Sequence, residues 1–125
     1  MGNKIFIVDD DPGIRDILKI IFERAGYDVT AEANVDRILQ DDYTLPDIFL
    51  LDRFLSGVDG LEICRYLKSN LYSMNVPVLM VSASPDIGVM SISAGADGFI
   101  EKPFNMKELL SKVEAIINAK NYIAK

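Results

Sequence analysis

The chain has 125 residues, 19 of them acidic and 13 basic, which leaves a formal charge of −6. Half of the residues are hydrophobic and 26% are charged, the balance of one globular domain, expected to run over 1–125 with no room for a second. Histidine is absent and Cys64 is the single cysteine, which excludes imidazole-based triads, internal disulfides and thiolate zinc sites. A surface this acidic repels phosphate backbones, so direct nucleic-acid binding is not expected. Any metal must be held by oxygen, which points to a hard cation such as magnesium, calcium or manganese. No cleavable N-terminal signal is expected, and no apolar run nears the ~20 residues that span a bilayer, so a reducing cytoplasm and no membrane contact are expected.

Two periods of apolar residues alternate along the chain. Ile5, Phe6, Ile7 and Val8 form a continuous run, the mark of a strand buried on both faces. Asp11-Pro12 then reads as an N-cap followed by proline at the first helical position. Ile14, Ile17, Leu18, Ile21, Phe22 and Ala25 recur at helical spacing, and Gly26 is a natural stop. Tyr27 to Ala33 predicts a second strand, and Asn34 can cap a short helix of Val35, Ile38 and Leu39 that ends near Asp41. Ile48 to Leu51 is a third strand that stops abruptly at Asp52. Beyond the loop punctuated by Gly57 and Gly60, Leu61, Cys64, Leu67 and Leu71 stripe a third helix. Val76 to Val81 and Ala96 to Ile100 predict two more strands, ending at Ser82 and at Lys102-Pro103. Between them, Gly88, Ser91, Ser93 and several β-branched residues make Pro85 to Ala94 a poor helix, expected to be short or frayed. Asn105 caps a last helix with Met106, Leu109, Leu110, Val113, Ile116 and Ile117 on one face. Strands alternating with helices in so short a chain imply an α/β fold, a parallel sheet with helices on both faces.

Ligands in open sheets of this kind bind beyond the carboxyl ends of the strands, and the polar residues fall there. The first strand ends in Asp9-Asp10-Asp11, the third in Asp52, the fourth in Ser82 and the fifth in Lys102. Read singly, each has a plain structural role: loop acids before a helix, a turn residue, a local cap, a solvated strand end. Asp11 keeps that role, as an N-cap. Together they would crowd one edge, where two carboxylates ~4 Å apart repel by roughly 4 kcal/mol at an effective dielectric near 20. Lys102 offsets part of this and a divalent cation would supply the remainder; magnesium suits the ligand set. A carboxylate beside such an ion is a competent nucleophile toward phosphorus. No Gly-rich phosphate loop accompanies it, so the site can receive a phosphoryl group but has no nucleotide pocket to supply one.

These residues resemble the receiver domain of bacterial two-component response regulators, over Lys4 to about Asn118. The motifs are Asp9-Asp10, Asp52 followed by Asp59-Gly60, Ser82-Ala83, Gly95-Ala96-Asp97 and Lys102-Pro103-Phe104. The resemblance implies a flavodoxin-like, doubly wound sheet of five strands in the order 2-1-3-4-5. It implies that Asp52 accepts the phosphoryl group and that Asp10, Asp52 and the backbone carbonyl of Phe54 bind magnesium (or manganese), with Asp9 acting through water. Lys102 would pair with the phosphoryl group across a cis Lys102–Pro103 bond, and Ser82 and the Ala83 backbone would contact its oxygens. Phe99 would turn as Ser82 moves, altering the surface of the fourth helix, fifth strand and last helix, where a dimer could form. The implied partners are a histidine kinase or histidine phosphotransfer protein upstream, and an output domain or another protein downstream. The family often carries proline where this chain has Ser56, which predicts a looser loop here. Ser82 stands where threonine is commoner, and the interval from Ser82 to Lys102 is about two residues shorter than usual in the family.

Two other classes compete. A haloacid-dehalogenase-like phosphatase also uses a strand-end aspartate, but it wants a second one two residues later, where this chain has Phe54. A degenerate receiver would act as a phosphorylation-independent scaffold, against which stand the retained acids, Ser82 and Lys102. Cys64 is expected in the core, and Tyr66, Tyr72 and Tyr122 in packing or on the surface.

Overall fold

The computed structural model describes residues 2–124, with side chains through Asn121. In chain order its elements are β1 (Lys4–Val8), α1 (Pro12–Arg24), β2 (Asp28–Glu32), α2 (Asp36–Leu39), β3 (Ile48–Asp52), β4 (Phe54–Leu55), β5 (Val58–Asp59), α3 (Gly60–Ser69), β6 (Val78–Ser82), α4 (Ile87–Ser93), β7 (Gly98–Glu101) and α5 (Met106–Ala124). Five strands form one parallel sheet in the order β2-β1-β3-β6-β7. With the two-residue hairpin β4–β5 set aside, this is the expected flavodoxin-like order.

Period-two alternation explains why the strands read as unbroken apolar runs. Ile5 and Ile7 point to one face with Ile48, Leu50, Leu79 and Val81, where Leu18 and Phe22 of α1 and Leu109, Val113 and Ile117 of α5 cover them. Phe6 and Val8 point to the other face with Phe49, Leu51, Val78 and Met80, under Ile38 of α2, Leu61, Cys64 and Leu67 of α3 and Ile87 of α4. Cys64 lies fully buried there, and burial pushes its thiol up to about 11.

The capping chemistry follows the sequence closely. Asp11 accepts the Gly13 and Ile14 N–H groups at 2.9 and 3.1 Å and so starts α1. Asn105 accepts the Glu108 N–H at 2.7 Å. Asn34 departs from its expected role: Val35, not Asn34, holds the N-cap position of α2 and has no side-chain cap bond, while Asn34 accepts the Asp36 N–H at 3.0 Å in an Asx turn before the helix. Tyr66 donates to Asp41 and Tyr72 to the Tyr43 carbonyl, so both serve packing; the Tyr122 side chain lies outside the described residues.

Four element boundaries are also corrected. The third helix does not reach Leu71, which is 89% exposed. It ends at Ser69 because Asn70 turns extended and its side chain accepts the Tyr72 N–H, an Asx turn that competes with the helix. The fourth sheet strand starts at Val78 and includes Ser82, since Pro77 has no N–H to give a ladder. The strands expected over Tyr27–Ala33 and Ala96–Ile100 occupy Asp28–Glu32 and Gly98–Glu101. The hairpin β4–β5 has no apolar period to announce it. As expected, α4 is short, seven residues.

One glycine is fixed by the site itself. A Cβ on Gly60 would stand 2.2 Å from the backbone oxygen of Asp52, so α3 can begin this close only without a side chain. Gly60→Ala is expected to cost about 1–3 kcal/mol in urea unfolding, the range of overpacking changes, and to displace the Asp52 backbone. Gly57→Ala meets no neighbouring atom but holds φ at 75°, so its cost is only the left-handed strain and it serves as the comparison.

Candidate functional site

Because every strand of the main sheet runs the same way, all carboxyl ends open on one edge. Asp9 leaves β1, Asp52 closes β3, Ser82 closes β6 and Lys102 follows β7. One carboxylate oxygen from each of Asp9, Asp10 and Asp52 lies within 4.8 Å of the others. The Lys102 ammonium donates to Asp52 Oδ2 at 3.4 Å. Three acids against one lysine make this edge locally negative.

Each acid is held differently. Asp9 is only 4% exposed; its carboxylate accepts the Asp11 N–H at 2.9 Å, and its backbone carbonyl accepts from Arg15 at 2.9 Å. Burial raises its pKa, against the pull of the Asp11 amide and of Lys102. Asp52 is also raised, first by burial and further by Asp9 and Asp10, while Lys102 lowers it. Asp10 accepts two hydrogen bonds on Oδ2, from the Ser56 N–H at 3.1 Å and the Ser56 hydroxyl at 2.8 Å. That pair corrects the expectation of a looser loop: Ser56 ties β4–β5 to the acidic edge.

The remaining predicted residues lie on β6, β7, the hairpin and the segments that follow them. Ser82 is buried, and its hydroxyl accepts the Ser84 N–H at 3.0 Å. Ala83, next in the chain, is exposed, and the Lys102–Pro103 bond is cis. Phe54 belongs to β4, with its ring exposed. Phe99 sits farther off on β7, where a Cβ on Gly88 would be 3.1 Å from its ring and the Lys112 ammonium is 5.3 Å from its centre.

Arg53 escaped the sequence reading. Its guanidinium donates to Asp86 at 3.0 Å, lies 3.8 Å from Asp59 and stacks 4.9 Å over Phe54. It joins the residue after Asp52 to the start of α4 and draws the Asp86 carboxylate away from capping that helix, which has no side-chain cap. The available signal was a lone arginine directly after a strand-end aspartate.

The carboxyl edge of the parallel sheet, where ligands of such folds bind, thus carries three clustered carboxylates and one lysine, an oxygen-only donor set. The chain belongs to the response regulator receiver domain family, whose model matches residues 5–114. It is a signalling domain of two-component systems, with a phosphoacceptor role. It is 37% identical over 119 residues to the DNA-binding dual master transcriptional regulator RpaA of Synechocystis, covering 91% of this chain and 48% of that protein. Against the phosphate regulon regulatory protein PhoB of Pseudomonas aeruginosa the identity is 33%, covering 94% of this chain and 52% of that one. The chain thus spans about half the length of the curated relatives it matches. A CheY-like receiver domain protein from Methanospirillum hungatei superposes with a TM-score of 0.87 at 29% identity, covering 98% of each chain. Among the described residues, no helix is long and apolar enough to cross a membrane.

Proposed function

We propose that residues 1–125 act as a single phosphorylation switch, with Asp52 as acceptor. The observation that carries this reading is the convergence of three carboxylates within 4.8 Å with Lys102 on Asp52. A phosphohistidine of a kinase or phosphotransfer protein is the donor: the donor's N–P bond breaks, its imidazole keeps the electron pair, and an Asp52 oxygen forms the new O–P bond. Asp10, Asp52 and the Phe54 carbonyl would hold magnesium, or manganese, with Asp9 acting through water. The oxygen donor set, its three negative charges and the half-buried edge fit such an ion. When bound, the ion supplies charge neutralisation for the phosphoryl oxygens.

This chain's own residues do the remainder. Lys102, already on Asp52, pairs with the incoming group, and the Ser82 hydroxyl leaves the Ser84 amide to donate to a phosphoryl oxygen. The Ala83 amide contacts another oxygen. The group brings about −2 charge and three acceptor oxygens, enough to recruit both side chains. Phe99 turns into the space that Ser82 vacates, shifting a pre-existing equilibrium at the α4–β7–α5 surface. Val89 and Ile92 on α4, 71% and 74% exposed, give that surface an apolar contact for a second copy, an output domain or a separate target. The domain assists its own phosphorylation and turns over no external molecule. The net charge of −6 supports a protein partner for it and not nucleic acid, and the cytoplasm is the compartment that goes with this reading.

Beryllofluoride with magnesium, a phosphoryl mimic, tests the switch. Amide chemical shifts of Ser82 and Phe99 are expected to move together on titration. Silence at both, with the protein folded, would instead assign a phosphorylation-independent scaffold.

A further inference from the structure

We infer that Ser56 is a positioning residue that restricts Asp10 to a one-oxygen metal ligand and thereby favours magnesium over calcium; the inference rests on the phosphoacceptor reading above. Ser56 and Gly57 are the two-residue turn between β4 and β5, where Leu55 pairs with Val58. From that turn both the amide and the hydroxyl of Ser56 donate to the same atom, Asp10 Oδ2, at 3.1 and 2.8 Å. Two donors fill the acceptor capacity of that oxygen and leave Oδ1 as the free one.

The consequence for a cation follows from its size. Magnesium is small and octahedral, keeps several waters and takes one oxygen from each carboxylate. Calcium takes 6–8 oxygens and readily draws both from one carboxylate. An Asp10 whose Oδ2 is already engaged can serve the first ion without rearrangement, whereas two-oxygen binding would require breaking both Ser56 bonds. The same bonds spread the charge of Asp10 away from Asp9 and Asp52, so the three acids sit together before any ion arrives. Outer partners of this kind change metal affinity by about 10–100-fold when removed.

The turn permits a clean test. Gly57 has φ of 75°, as at the second corner of a type II turn, and proline is well tolerated at the first corner of such turns. Ser56→Pro therefore removes both donors while keeping the turn, Ser56→Ala removes only the hydroxyl, and Ser56→Thr restores it. Magnesium alone and calcium alone would be titrated into the full chain and each variant by calorimetry, with amide spectra to verify the fold. Ser56→Pro is expected to weaken magnesium about 10-fold or more and leave calcium unchanged or tighter. Ser56→Ala should fall between, and Ser56→Thr should return toward the parent. If the parent binds magnesium and Ser56→Pro matches it for both ions, the role given to Ser56 is wrong while the acidic site stands. Tighter magnesium binding in Ser56→Pro would make the serine a competitor of the ion and also overturn it. No magnesium uptake by the parent would remove the acidic site's reading and this one with it.

Discussion

Asp52→Ala is expected to take up no phosphoryl group from acetyl phosphate with magnesium, while the parent chain gains about 80 Da, the mass of one such group. The loss is all-or-none because no second acid offers the same setting. Asp9 is buried with its carboxylate on the Asp11 amide, and Asp10 is tied to Ser56. Only Asp52 has the lysine on one of its oxygens. Intact-mass spectrometry reads the result, and an unchanged mass gain in the variant would reassign the acceptor. The fold should survive, since a smaller neutral side chain at the strand end removes repulsion and leaves both apolar faces of the sheet intact.

The second large effect is thermodynamic. Burial raises the pKa of both Asp52 and Asp9 in the folded protein, so each proton is bound more tightly folded than unfolded. Stability from these two groups is therefore fully present below the ordinary carboxylate value of 3.8 and is lost as pH rises through the raised folded values. Above the raised folded values, and without metal, both carboxylates destabilise the fold. Asp52→Asn cannot titrate, so its melting temperature should exceed that of the parent at pH 7 and the gap should close toward acid. Magnesium should invert the order, because only the parent keeps all three acids for it. Ion at 100 times its dissociation constant stabilises by about 2.7 kcal/mol, roughly 10 °C for a domain of this size. Paired thermal melts with and without chelator check both signs. A parent more stable than Asp52→Asn without metal at pH 7 would contradict the electrostatic account of the edge.

The parts of this molecule that could be read from sequence are those governed by local chemistry. Four apolar residues in a row can be sheltered only inside a covered parallel sheet, and Ile5 to Val8 are divided between two packed faces as that logic requires. Asp11-Pro12 and Asn105 announced their helices because a cap is a contact between near neighbours. The edge was legible for a related reason: once the strands are parallel and adjacent, their last residues must meet. What escaped reading was decided over long sequence separations. Ser56 finds Asp10 across 46 residues and Arg53 finds Asp86 across 33, and nothing in the residues around them fixes either pairing. Leu71 kept the helical spacing of Leu61, Cys64 and Leu67, yet an Asn70 side chain closing a turn outweighed that periodicity.

The seclusion of Cys64 has a consequence for the kind of signal this domain can hear. A thiol held near 11 is ionised in only about one molecule in ten thousand at neutral pH, and only the thiolate reacts with oxidants or disulfides. The same packing that seats α3 on the sheet thus disfavours reaction of the chain's single sulfhydryl with peroxide or glutathione, which sets thiol chemistry apart from the phosphoryl chemistry at the carboxyl edge.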